Sequence, residues 1–191
     1  MRKGVLLAML AGVLAAGLVL LVWTATREEY RMPSASMEPT IRAGALLVVD
    51  TSAYRGRAPM VGDVVVFRTP FAEDELQVKR IAAIGPAEVN LLPDGALVVD
   101  QESAPRRRID DRTFEEAFGS RRHRIRWDDD RPPGGYPPGP WPVFDGKLFL
   151  LGDNRQNSHD SRHWGPIDRA AIVGRVTHVY SAGGGAPRGV D

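Results

Sequence analysis

The sequence predicts a mainly β protein: one N-terminal transmembrane helix, then a β-rich domain with a charged, Pro/Gly-rich insert. Three observations carry this expectation. An uncharged apolar run of membrane length opens the chain. Beyond it, aliphatic and β-branched runs are short and cut by Gly and Pro. Between two groups of such runs the composition shifts to charge clusters and proline. With 191 residues, 43% hydrophobic and 26% charged, the chain can form an anchor and one domain with a real core.

The formal net charge of +1 provides no global field for nucleic acid. The chain has no cysteine, which excludes disulfides, thiol catalysis and thiolate metal sites. Of 25 basic residues only Lys3, Lys79 and Lys147 are lysines. Where Arg is used almost everywhere, a Lys raises the question of what Arg cannot do there. One answer is to lose its proton.

The apolar run, residues 4–25, is rich in Leu, Val and Ala. About 20 such residues span the hydrocarbon core as a helix. A cleaved leader has a shorter apolar region, about 7–15 residues, and a small-x-small exit. This run is longer and exits through Trp23-Thr24-Ala25-Thr26-Arg27. The expected organisation is 1–3 as a cytoplasmic N-terminus, 4–25 as anchor, 26–182 as the β domain, and 183–191 as a flexible tail. Positive-inside logic favours the domain outside the cytoplasm.

Within the domain, Ala45 to Val49 reads as a buried strand, and Gly62-Asp63 opens a second, Val64 to Phe67. Glu75 to Ile84 alternates loosely and carries Lys79 and Arg80. Glu88 to Leu92 and Ala96 to Asp100 form a hairpin around Pro93-Asp94-Gly95. Residues 105–146 read as an inserted, partly flexible subdomain, with a short helix expected over Thr113 to Gly119. Its Arg clusters suit phospholipid head groups or nucleic acid, but seven acids between Asp110 and Asp130 offset them, which favours a solvated surface. Lys147 to Leu151 resumes the sheet, and Ala171 to Tyr180 is its last strand.

The chemistry centres on Met32 to Thr40. Ser34 and Ser36 lie two apart between Pro33 and Pro39, which stiffen the loop and keep it out of a helix. In extended backbone, residues two apart face one side, so both hydroxyls are expected to meet one point. Ser36 follows Ala25 by 11 residues, a reach of about 35 Å at most, so the loop stays near the bilayer surface.

A serine nucleophile needs a base. No glycine flanks Ser36, so the G-x-S-x-G elbow of a Ser-His-Asp hydrolase is missing. His159 and His163, four apart around Asp160, hint at a metal. Trp164-Gly165-Pro166 stops any long helix there, and no third imidazole is near, so no metal site and no cofactor is expected. Lysine is the other base. Burial in the apolar run Val78 to Ile84 would lower its pKa. Alternation places Lys79 and Arg80 on opposite faces, and Lys79 is expected to be the inward one. A polar loop, Gly152-Asp153-Asn154-Arg155 through Arg162, leaves an apolar strand and can aim several hydrogen-bonding groups at one sheet end.

Taken together, Pro33-Ser34-Ala35-Ser36-Met37-Glu38-Pro39-Thr40, Gly62-Asp63-Val64-Val65-Val66-Phe67, Val78-Lys79-Arg80 and Gly152-Asp153-Asn154-Arg155 through Ser158, Asp160, Ser161 and Arg162 resemble the bacterial type I signal peptidases, membrane-anchored Ser-Lys proteases of the peptidase S26 family. The resemblance covers most of the chain outside the insert. It implies that Ser36 is the nucleophile and Lys79 the general base. It implies an oxyanion hole from the Ser34 hydroxyl and the Ser36 N–H, and Ser158 orienting Lys79. Asp153, Arg80, Asp160 and Arg162 would support the site. It further implies a β catalytic domain on the extracytoplasmic side of the cytoplasmic membrane. That domain would remove signal peptides from secretory precursors after small residues at −1 and −3. The partners would be precursors and membrane lipid, with no nucleic acid.

Two positions depart from the family pattern. Ile81-Ala82-Ala83-Ile84-Gly85-Pro86-Ala87 lacks the usual Gly-Asp ending, and Gln156 stands where Asp is common. The rival readings are a specialised or self-processing Ser-Lys protease and an inactive anchored β module that binds exported proteins.

Overall fold

The computed structural model describes residues 9–18, 21, 26–130, 135–181 and 183–190, with backbone alone at 73 and 74. The expected N-terminus, 1–3, and much of the expected anchor, 4–25, lie outside these. Residues 9–18 form a helix, α1, whose apolar side chains are exposed, among them Val13 and Leu14. Among the described residues no helix is long and apolar enough to cross a membrane.

The main sheet is antiparallel. It contains β1 (Arg27–Arg31), β2 (Leu46–Asp50), β3 (Val64–Thr69) and β4 (Ala72–Ile84). After two smaller sheets, β12 (Lys147–Leu151), β13 (Ile167–Asp168), β14 (Ile172–Tyr180) and β15 (Arg188–Gly189) complete it. The order is β1-β2-β14-β3-β4-β12-β13. One side of β14 pairs with β2. The other pairs with β3 around Ile172–Arg175 and with β15 at His178 and Val179. The tail expected to be flexible therefore contains a strand, and Val190 beyond it is buried with Met32, Met37 and Val179. A short apolar side chain and one ladder of bonds outweigh the glycines before it.

Alternation along β3 explains the layering. Val64 and Val66 join one apolar cluster with Met37, Ile41 and Leu47, whereas Val65 and Phe67 join another with Ile81, Leu148 and Leu150. A strand that is apolar on both sides is covered on both faces. This corrects the reading of Lys79 and Arg80: the sheet has two inner faces, and both side chains are buried.

Between β4 and β12 the chain builds the smaller sheets. One has the order β11-β5-β6-β7, formed by β5 (Ala87–Leu91), β6 (Leu97–Val99), β7 (Glu102–Ser103) and β11 (Trp141–Val143). Pro142 is tolerated because β11 is an edge strand. The other has the order β10-β9-β8, formed by β8 (Arg106–Arg108), β9 (Thr113–Phe118) and β10 (Arg121–Arg126). Thr113 to Phe118 is thus a strand and not the expected helix. Phe114 and Glu116 are buried, while Thr113 and Glu115 are less so, and pairing on both edges overrides the local helical preference of Glu-Glu-Ala. Gly85-Pro86 is a cis bond, and a Cβ at Gly85 would lie 1.8 Å from Phe144 O. The departure after the lysine strand therefore marks a place where two backbones touch.

Candidate active site

The serine loop is pinned by its apolar residues. Met32, Met37 and Ile41 sink into the core on either side of Ser34 and Ser36. Residues 34–41 run through successive turns, with Glu38 N–H donating to Ala35 O and Ile41 N–H to Met37 O. The loop is therefore not the extended segment expected from its prolines, yet the hydroxyls still converge. Ser34 Oγ lies 3.1 Å from Ser36 Oγ, and Ser36 N–H donates weakly to Ser34 Oγ at 3.4 Å.

Lys79 reaches the same point from β4. Its Nζ donates to Ser36 Oγ at 3.0 Å and to Val78 O at 3.2 Å. The side chain is 4% exposed. Burial, reinforced by Arg162, lowers its pKa to about 8 against the opposing pull of Asp160, Asp153 and Glu75. The ammonium is therefore poised to release its proton in a mildly alkaline range. A hydroxyl within hydrogen-bond reach of such a nitrogen is the arrangement that activates an oxygen nucleophile. A cleft of about 370 Å³ opens over the pair, between Pro33 and Ser34 on one side and Asn157 and His159 on another. A larger cavity, about 810 Å³, lies away from it beside Ala83 and Phe118 and holds no nucleophile–base pair.

Residues 5–181 match the family described as signal peptidase, peptidase S26. The chain belongs to this family. Over 183 residues it is 30% identical to the signal peptidase I of Pseudomonas fluorescens, covering 80% of this chain and 64% of that protein. It therefore spans less than two thirds of that relative's length. It is 29% identical over 196 residues to the signal peptidase I of Aquifex aeolicus, covering 82% of this chain and 76% of the relative. A solved signal peptidase I from Enterococcus faecalis superposes with a TM-score of 0.42 at 20% identity, over 63% of this chain and 98% of that one.

The family's downstream motif surrounds the lysine and the serine. Arg80 projects to the opposite face from Lys79, where its Nε and Nη2 fork onto Asp153 at 2.9 and 2.8 Å. Its Nη1 reaches Gly62 O. Arg162 forks onto Asp160 at 2.8 Å through both Nε and Nη2, and Asp160 also accepts the Gly152 N–H. Both pairs are fully enclosed, and the guanidinium partners hold each carboxyl below the usual carboxylate range despite burial. Gly152 is required by close approach. An added Cβ would lie 2.2 Å from Ser158 Oγ and 2.6 Å from Ser36 O. Ser158 is therefore beside the site, but the hydrogen bonds of Lys79 go to Ser36 and Val78.

Sequence reasoning gave no role to Asn154, yet it holds the serine loop. Its N–H donates to Ser36 O and its side-chain amide to Ala35 O. Glu116 was missed as well. It lies buried between Arg155 and His123, with His123 Nε2 at 3.3 Å, and its contact to Arg155 ties the three-stranded sheet to the polar loop. His159 and His163 stack with ring centroids 4.5 Å apart. His163 Nδ1 accepts the Asp160 N–H, closing a capping box at α2 (Ser161–Trp164). No group of three or more His, Asp or Glu side chains suited to a metal occurs among the described residues.

Proposed function

We propose that this protein is a membrane-anchored serine endopeptidase that removes N-terminal signal peptides from secretory precursors by a Ser36–Lys79 dyad, cleaving after small residues at −1 and −3. The observation that carries the reading is the 3.0 Å contact between buried Lys79 Nζ and Ser36 Oγ. Neutral Lys79 takes the Ser36 proton as the hydroxyl attacks the scissile carbonyl carbon. The Ser36 N–H and the Ser34 hydroxyl turn to the oxyanion; their mutual contact at rest is long and easily exchanged. The lysine then protonates the departing amine as the C–N bond breaks. Water, losing its proton to the same lysine, hydrolyses the acyl ester and frees Ser36.

Ser158 acts beside this centre. It borders Gly152 and Asp160, and from there it orients Lys79. The apolar run 4–25 serves as the anchor, with the β domain on the extracytoplasmic side of the cytoplasmic membrane. Its length and the exposed apolar side chains of α1 support that assignment. The anchor keeps Ser36 at the bilayer surface, where a cleavage site emerges, and so restricts the search to two dimensions.

The test is incubation of the detergent-solubilised full chain with a precursor carrying an Ala-x-Ala site. Cleavage after the second Ala, abolished in Ser36→Ala, is expected. An uncleaved precursor that still binds would favour the inactive-module reading.

A further inference from the structure

A second site lies where β10, β15 and the end of the serine loop meet. A cavity of about 340 Å³ there is bordered by Pro39, Thr40, Arg122, Arg124, Arg188 and Gly189, and no acidic residue lines it. This runs against the pattern of the surrounding surface. Every other described arginine from Arg106 to Arg126 has a carboxylate oxygen within 3.7 Å. Arg124 has none, and its guanidinium makes no hydrogen bond to a described residue; it influences Asp110 only through space. Arg122 is held loosely, 3.7 Å from Glu115, with most of its side chain exposed. Arg188 is pre-set, its Nη2 donating to Thr40 O. The walls are joined to each other, since Thr40 Oγ1 donates to Arg124 O at 3.3 Å.

Three guanidiniums around one small concavity leave unmatched donors in a chain whose net charge is only +1. Planar forked donors match tetrahedral phosphate oxygens, and such charge-assisted bonds are among the stronger ones available. We propose that this cavity binds a phosphate group, with Arg124 and Arg188 as its main donors. The phosphate comes either from free phosphate or from a phospholipid headgroup. The site stands apart from the cleft over Ser36, and the inference does not depend on the peptidase reading.

The experiment is calorimetric titration of the full chain in a nonionic detergent. One arm adds inorganic phosphate against chloride at equal ionic strength. The other adds short-chain phosphatidylglycerol against a diacylglycerol of the same length. Saturable one-to-one binding in at least one arm is expected, weakened about tenfold or more in Arg124→Gln. That variant removes a guanidinium that makes no hydrogen bond or ion pair among the described residues, so its thermal midpoint should match the parent's. Binding in the first arm identifies free phosphate as the source, and binding in the second alone identifies the headgroup. Absence of saturable binding in both arms, or equal affinity in parent and Arg124→Gln, overturns the proposal.

Discussion

Asn154 holds Ser36 by the main chain: its N–H donates to Ser36 O at 3.0 Å while its side-chain amide takes Ala35 O at 3.1 Å. The Ser36 backbone is thus fixed from the polar loop more than a hundred residues away. Asn154→Ala removes the second bond and leaves the Ala35 carbonyl with the Glu38 N–H alone. The expected result is a fall in kcat of about tenfold with KM little changed and about 1 kcal/mol of stability lost. Steady-state kinetics and denaturant unfolding would check this. A KM effect with kcat intact would count against a positioning role.

Lys79 should set an alkaline rise in activity. With its pKa lowered to about 8 by burial, kcat/KM should climb through pH 8 and level off above it. Lys79→Arg should be as inactive as Lys79→Ala, because a guanidinium stays protonated. Appreciable processing by the Arg variant would sink the base role.

The same shift bears on stability. The unfolded chain keeps the lysine proton up to about its ordinary pKa, whereas the folded site releases it near 8. Between those values the unfolded state binds more protons, so this residue's penalty is full below pH 8 and fades as pH rises. Lys79→Met should therefore raise stability by about 2 kcal/mol at pH 7 and by little near pH 10. Urea unfolding at the two pH values measures this.

Ser34→Ala tests the oxyanion assignment. Among the described residues the Ser34 hydroxyl bonds within the serine loop, at Ser36. Its loss should cut kcat by about 10²–10³ with the unfolding midpoint unchanged. A kcat within twofold of the parent would place the second oxyanion donor elsewhere.

Glu116 supplies an acid-side prediction. Burial alone would raise its pKa, but Arg155 and His123 outweigh this and hold it at about 2. Its contribution is present above the ordinary carboxyl pKa and is lost as pH falls toward 2. Glu116→Gln should lower stability at pH 7 by about 3 kcal/mol and flatten the acid limb between pH 4.5 and 2. Unfolding free energies across that range decide it.

Much of this site was legible because its chemistry is local. Two serines between prolines, one of three lysines in an apolar run, and a polar loop after a strand are each contiguous signals. What escaped depended on distance. Glu116 sits in a segment whose Glu-Glu-Ala composition favours helix, and only pairing with β8 and β10 turns it inward toward Arg155. Asn154 stood within a recognised motif, but its partners are carbonyl oxygens, which no side-chain pattern reports. The convergence of Ser34 and Ser36 was expected, though the turns that produce it were not. The pair Lys79-Arg80 shows the limit of alternation. It separates faces but does not say that both are covered.

Val190 shares its apolar pocket with Met32 and Met37, the residues that seat the serine loop. Both margins of the β domain therefore rest on one cluster. A change at Val190 would disturb the packing that holds Ser36. A preparation altered there and one left unaltered should not be treated as equivalent until their turnover has been compared.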